Sequence, residues 1–287
     1  MLQWIHISDL QFGTGKAEKS TSDETARRLI EAIARQRPAF VIHSGDHIHG
    51  AVNDTPEEKA RVEEYWNDYR EALKPLKKVC PLLCVPGNHD ATGSDLSLET
   101  YLRRTGRDGR TPYYATTIQG IHIIGLDVVP WRHKGGFIAG SAQEKWLRRH
   151  LRRTRRARAL VVAGHYPIFA SPWILHNVDS SLGYDEDTRA QGTLLPLLLQ
   201  SRADLYLCGH QHVYERSRYR NLTQVMAGGD GIAFAGHLEQ PRGRYCRIQD
   251  ERRGYIRFTL SAKSLRGEAI SADGQIMDTW WQKRNHF

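Results

Sequence analysis

No stretch of this chain stays apolar for the roughly 20 residues that a membrane-spanning helix requires, so no partnership with a membrane is expected. The first residues, Met1 to Asp9, hold no basic cluster, no apolar core and no small-residue cleavage site. No signal peptide is read there, and a cytoplasmic location is expected; the segment reads instead as a first β-strand. Cysteine is scarce. Cys80, Cys84, Cys208 and Cys246 are the only four in 287 residues, and none forms a Cys-x-x-Cys pair. That is no disulfide framework for a chain this long, and it points to reduced, mostly buried thiols. Internal repeats, low-complexity linkers and a clear domain boundary are missing too, so one domain over residues 1–287 is expected. Asn221-Leu222-Thr223 matches a glycosylation sequon, but without an export signal it is read as chance.

Acidic residues are the minority: 41 Lys and Arg against 32 Asp and Glu leave a formal charge of +9. The excess favours anionic ligands without identifying one. Much of it sits at Arg148, Arg149, Arg152, Arg153, Arg155, Arg156 and Arg158. Such a run reads either as a nucleic-acid or phosphate patch or as the solvated face of a helix opening near Ser141, with Trp146, Leu147 and Leu151 as its apolar stripe. The second reading is favoured, because no interleaved aromatics accompany the arginines.

Short β-branched or apolar runs alternate with helical patterns. Strands are expected over 2–8, 40–44, 81–85, 121–126, 159–163, 204–207 and 224–227. Thr21-x-x-Glu24 is a capping box ahead of Ala26, Leu29, Ile30 and Ile33, which share one helical face. Thr55-Pro56-Glu57-Glu58 combines a capping box with proline at the first helical position and predicts a helix to about residue 74. Further helices are expected over 143–151 and 188–199, with Pro196 ending or bending the second. The alternation argues for an α/β architecture. Segments 244–248 and 255–260 and a turn at Ala272-Asp273-Gly274 read as antiparallel strands completing a second sheet.

Five segments on this framework pair a metal-ligand side chain with a small residue or follow a strand directly. They are Asp9-Leu10-Gln11, Gly45-Asp46-His47-Ile48-His49, Gly87-Asn88-His89-Asp90, Gly164-His165 and Gly209-His210-Gln211-His212. Carboxylate, amide and imidazole are the groups that hold divalent cations. Loops beyond the carboxyl ends of strands carry the site in α/β sheets, so five in series are expected to converge.

These motifs resemble the calcineurin-like metallophosphoesterase superfamily, whose pattern is Asp-x-His, Gly-Asp-x-x-[Asp/Asn], Gly-Asn-His-[Asp/Glu], Gly-His and Gly-His-x-His. Ala163-Gly164-His165-Tyr166-Pro167 and His212-Val213-Tyr214-Glu215-Arg216 look like its purple acid phosphatase branch. The resemblance implies a four-layer α-β-β-α sandwich with two mixed sheets, and two divalent metal ions (manganese, iron or zinc). It implies that Asp46 bridges the metals, that Asp9 and His212 hold the first, and that Asn88, His165 and His210 hold the second. His89 would stand beside the substrate, with Asp90 orienting its ring. The first motif departs from the pattern: Gln11 stands where most of the family has histidine. In the purple acid phosphatase branch a tyrosine three residues after the bridging Asp is a ligand, and here that position is His49. Gln11 is taken as a ligand. His49 is left open between a ligand and a residue behind the ligands or facing the substrate. With no tyrosine there, a colourless enzyme is expected.

Two cations about 3.5–4 Å apart lower the pKa of a bound water and neutralise phosphoryl oxygens. The implied chemistry is in-line attack of metal-bound hydroxide on a phosphate ester, with His89 protonating the leaving group. The substrate is expected to be a phosphorylated small molecule or nucleotide: a monoester, or a nucleotide-type diester or pyrophosphate. Arg132, His133, Tyr166 and His176 are guesses at substrate contacts from loops at the same edge. Gly228-Gly229-Asp230-Gly231 reads as a turn rather than a phosphate loop. A nuclease using the basic surface is the alternative, and a non-catalytic phosphate-binding protein a distant one. Oligomeric state is not readable.

Overall fold

The computed structural model describes residues 1–17, 20, 22–50, 55–90, 95–129, 137, 139–152, 157–169, 190–228 and 245–283. In chain order its strands are β1 (Leu2–Ile7), β2 (Val41–His43), β3 (Leu82–Cys84), β4 (Tyr114–Ile118), β5 (Ile121–Gly125), β6 (Ala159–Ala163), β7 (Leu205–Cys208), β8 (Tyr214–Tyr219), β9 (Leu222–Met226), β10 (Cys246–Asp250), β11 (Gly254–Leu260), β12 (Ser264–Ser271) and β13 (Ile276–Lys283). A six-stranded sheet runs β13-β12-β11-β1-β2-β3, and a seven-stranded sheet runs β10-β8-β9-β7-β6-β5-β4. Both are mixed. β1, β2 and β3 are parallel, as are β5, β6, β7 and β9, while the outer strands pair antiparallel.

Strand periodicity accounts for the layers. In β6, Ala159, Val161 and Ala163 face the core between the sheets, while Leu160 and Val162 face the core beneath the helices. β7 repeats this, with Leu205 and Leu207 inward and Tyr206 and Cys208 outward. Parallel strands covered on both faces must be apolar throughout, which is why these runs show no alternation in sequence. Trp4 anchors the middle layer, stacked between Phe40 and Phe258 with ring centroids 5.6 and 5.1 Å away. The helix Ser22–Gln36 covers the six-stranded sheet with Ala26, Leu29, Ile30 and Ile33. The helix Ala142–Leu151 covers the other sheet with Leu147 and Leu151. The result is the four-layer α-β-β-α sandwich.

The expected helix starts hold where they are described. Thr55 accepts a hydrogen bond from the Glu58 N–H at 3.2 Å, and Ser141 from the Glu144 N–H at 3.1 Å. The Thr21 cap lies outside the described residues. Two expectations need correction. Pro196 does not end a helix: a π-helical turn, Ala190–Leu194, gives way there to an α-helix, Leu195–Gln200, and the proline sits in its first turn, where no N–H partner is needed. Nor do the C-terminal strands all complete the second sheet. β10 joins it, but β11 pairs with β1, so β11 to β13 extend the first sheet instead. Among the described residues, no helix is long and apolar enough to cross a membrane.

Candidate metal centre

The loops after β1 and β2 are zipped together by main-chain hydrogen bonds. Asp9 N–H reaches Gly45 O at 3.0 Å, Gln11 N–H reaches Asp46 O at 3.0 Å and Phe12 N–H reaches His47 O at 3.1 Å. Nine non-glycine residues among those described have a left-handed backbone, and five of them are Asp9, Gln11, Asp46, His210 and His212, with φ between 40° and 78°. Each costs on the order of 1–2 kcal/mol, and strain of this kind concentrates at functional sites. Two glycines permit the close approach. A Cβ on Gly87 would overlap Asp46 Oδ1, and one on Gly209 would overlap Asp9 Oδ2.

Two trios of potential ligand atoms result, each within 4.8 Å of one another: Asp9, Asp46 and His212, and Asp46, His165 and His210. Asp46 belongs to both. Asn88 joins the second trio, its Oδ1 lying 3.0 Å from His165 Nε2 and 2.9 Å from His210 Nδ1. Gln11 adjoins the first, with Nε2 3.3 Å from Asp46 Oδ2 and 3.1 Å from His212 Nε2. As it stands the Gln11 amide donates at that spot; a half-turn of the amide would present its oxygen there.

The donor set fits a cation. His165 Nδ1 lies 2.8 Å from Ser44 O, which only accepts, so that nitrogen carries the proton and Nε2 presents a lone pair. The lone pair faces Asn88 Oδ1 and, at 3.2 Å, Asp46 Oδ2. With the ring neutral, three acceptors would converge with no hydrogen between them. Burial acts against charge on the His165 imidazole, yet Asp46 and Asp9 outweigh it and push its pKa up to about 9. Burial also tends to raise Asp46, but the charges of His165 and His89 hold its carboxyl well below the usual range. In the protein alone a proton supplies the positive charge that this cluster of acceptors demands.

The match to known proteins agrees. The profile of the calcineurin-like phosphoesterase family covers residues 3–214, most of the chain and all five motifs. The chain belongs to the calcineurin-like phosphoesterase family. Among similar proteins are the human serine/threonine-protein phosphatase CPPED1 (26% identical over 247 residues, 78% of this chain and 73% of that one) and purple acid phosphatase 18 of Arabidopsis thaliana (25% over 171 residues, 56% and 36%). The fold is that of a purple acid phosphatase from yellow lupin (Lupinus luteus) seeds, with a TM-score of 0.74 and 15% identity over 99% of this chain and 54% of that one. The chain thus spans about half or less of the length of the plant enzymes it matches.

Other residues of this phosphoesterase-family chain fall into place around the trios. His89 is 32% exposed at the rim, with Nε2 4.0 Å from Asp46 Oδ2. Asp90 does not orient it. The His89 ring is held by its own Nδ1–H, which donates to His49 O at 2.5 Å. Asp90 is buried and accepts instead from the N–H groups of Asp46 (3.0 Å), His47 (2.8 Å) and Gly87 (2.8 Å) and from His47 Nδ1 (2.7 Å). The carboxylate turns inward because these donors lie there. His47, unremarked in the sequence, is boxed by Trp66, Tyr69 and Tyr101. Burial opposes its charge, but Asp90 prevails and lifts the imidazole to about 10.

His49 belongs to neither trio and contacts Thr14 and His89. Tyr166 is buried, with its ring 4.2 Å from that of His210. Arg132, His133 and His176 lie outside the described residues. The Tyr214-Glu215-Arg216 stretch ties the sheets together: Tyr214 OH and Arg216 Nε both donate to Asp278 Oδ2 on β13, at 2.6 Å each.

Proposed function

We propose that the chain is a phosphoesterase working with two divalent ions (manganese, iron or zinc), with both sheets forming one domain. The supporting observation is the shared Asp46, common to two ligand groups that together draw on both sheets. Asp46 would serve both ions; Asp9, His212 and Gln11 would hold one, and Asn88, His165 and His210 would hold the other. The bound pair supplies an acidified water and neutralises phosphoryl charge. Asp46 sets the spacing of the two positions and offsets part of their charge. Ser44 O fixes the His165 tautomer so that Nε2 faces inward. His49 O does the same for His89, leaving Nε2 directed to the substrate side, where an imidazolium would hand its proton to the leaving oxygen.

The substrate is a phosphorylated small molecule or nucleotide, as monoester, diester or pyrophosphate. A nuclease using the basic surface remains the alternative; within the arginine run, Arg148 pairs with Glu144 on its own helix, as on a solvated helix face. The test is turnover of p-nitrophenyl phosphate and bis-p-nitrophenyl phosphate with Mn²⁺, Zn²⁺ and Fe²⁺ in turn. Activity on one or both with a divalent ion, absent after chelation, is expected; no turnover of any phosphate ester with any of these ions would refute the reading.

A further inference from the structure

We propose that the groove between the helices Pro56–Ala72, Lys74–Lys77 and Asp95–Arg104 is a second anion site, one that takes a small ligand carrying two or more linked phosphates. It lies on the outer helix layer over the six-stranded sheet, where Tyr69, Leu76 and Leu102 pack the three helices into the core. It shares no residue with the metal centre. Its volume is about 460 Å³, within the range of small-molecule sites, and its lining is Arg70, Lys77, Arg103, Arg104, Thr105 and Gly106. Four of the six are cations. Segments 70–78 and 103–110 each hold four Lys or Arg against one acid, a net +6 within a chain of +9.

Cations at these positions have an ordinary use, since all four sit in the last turns of helices, where the carbonyls are partly negative. Charge shows that this use does not exhaust them. The two longer helices end here with about −0.5 each. Among the described residues, Glu63 is the one carboxylate that pairs with the lining, with Arg103 at 3.4 Å and with Arg104. Four cations exceed that negative charge by about two. Arg70 and Lys77 are exposed and have no ion-pair partner among the described residues. Arg104 is different: its side chain is 13% exposed, Nη1 donates to Asn67 Oδ1 at 3.0 Å and Nη2 to Glu63. Its plane is fixed before any ligand arrives, and Nε has no hydrogen-bond partner among the described residues. A fixed guanidinium beside three exposed cations suits phosphate oxygens. No aromatic or aliphatic side chain lines the groove, so a base or an acyl chain gains nothing there. One phosphate group, at about −1.5 to −2, meets the charge but leaves most of the volume empty; a linked di- or triphosphate meets both.

The full-length protein is titrated calorimetrically with tripolyphosphate and with adenosine triphosphate, first with its metal ions and again after chelation. Binding that survives chelation, and is of similar strength for the two probes, is expected. Arg70→Gln and Lys77→Gln, at exposed positions where the core is untouched, are each expected to weaken it about tenfold, as loss of a charge-assisted hydrogen bond implies. Arg148→Gln, on the helix that covers the other sheet, is expected to leave it unchanged. Absence of binding, binding lost on chelation, or binding unaltered in Arg70→Gln and Lys77→Gln would overturn the proposal. So would a single-stranded RNA that displaces tripolyphosphate at lower concentration than adenosine triphosphate does, since the groove would then be a nucleic-acid surface. None of these readouts needs turnover, so a protein inactive on every ester that still binds tripolyphosphate in this way would count against the phosphoesterase reading and not against the groove.

Discussion

Five of the seven proposed ligands are common side chains in an uncommon backbone state. Asp9, Gln11, Asp46, His210 and His212 hold left-handed φ values that their side chains do not favour, and the surrounding main-chain bonds enforce them. Asp46 has the most depending on it: its carboxylate belongs to both trios and also receives the His89 N–H at 2.9 Å. Asp46→Ala and Asn88→Ala are each expected to lower turnover by roughly 10²–10³-fold or more, while far-ultraviolet circular dichroism stays that of the wild type. Wild-type rates in either variant would remove both residues from the site. His89→Ala should cost roughly 10²–10⁴-fold on an alkyl ester and far less on p-nitrophenyl phosphate, whose leaving group needs no proton; equal losses would make His89 a phosphate-binding group only. At this scale the sequence is readable where chemistry is local. Asp46 beside Gly45 and His210 beside Gly209 announce themselves. The inward turn of Asp90 is not legible in the sequence, because two of its partners, the N–H groups of Asp46 and His47 some 43–44 residues away, are tertiary. Nothing in the order Asp46-His47-Ile48-His49 says which imidazole turns inward and which reaches the rim.

Between residues and sheets, the loops act as one piece because Asp90 clamps them. Its two oxygens gather three backbone N–H groups and the His47 imidazole from the loops after β2 and β3. Asp90→Ala leaves those donors, one of them charged, buried without an acceptor. It is expected to destabilise the protein by about 3–5 kcal/mol, the usual cost of removing one partner of a buried pair, as read from urea denaturation of the metal-free form. A loss under about 1 kcal/mol, the level of an exposed pair, would show that the clamp carries little. The elements that sequence patterns reveal are those whose environment matches their composition, such as β6 and β7. β8 does not look like a strand because it reads Tyr-Glu-Arg-Ser-Arg-Tyr. Its Glu215 is nevertheless buried, accepting from Ser217 at 2.7 Å and from Gln249 at 2.5 Å, and its Arg216 lies over Trp280 while binding Asp278. Partners supplied by β10 and β13 make those charges tolerable, and no local window contains them.

Across the molecule, the proposed centre is a joint between sheets. Asp9, Asp46 and Asn88 come from the ends of β1, β2 and β3, while His165, His210 and His212 come from the ends of β6 and β7. Ions bound there cross-link the two halves of the sandwich, so stability and metal loading are linked. At a free concentration of 100 Kd each ion adds about 2.7 kcal/mol. One kcal/mol moves the midpoint of a domain of about 150–250 residues by about 2–4 °C, so a chelator is expected to lower Tm by roughly 5–10 °C per ion. The same linkage fixes the pH dependence. His165 in the metal-free protein holds its proton up to about 9, because Asp46 and Asp9 prevail over burial. Burial raises Asp9 above the ordinary carboxylate range as well, against the pull of His165 and His212. Both must lose their protons to bind an ion. Asp9, at about 6, has largely lost its proton by pH 7, so loading there releases chiefly that of His165, and apparent affinity rises with pH until His165 is deprotonated near 9. Calorimetry in two buffers of different ionisation enthalpy measures that release directly. Zero release at pH 7, or proton uptake, would mean that His165 does not meet the ion, and the joint between the sheets would need another ligand.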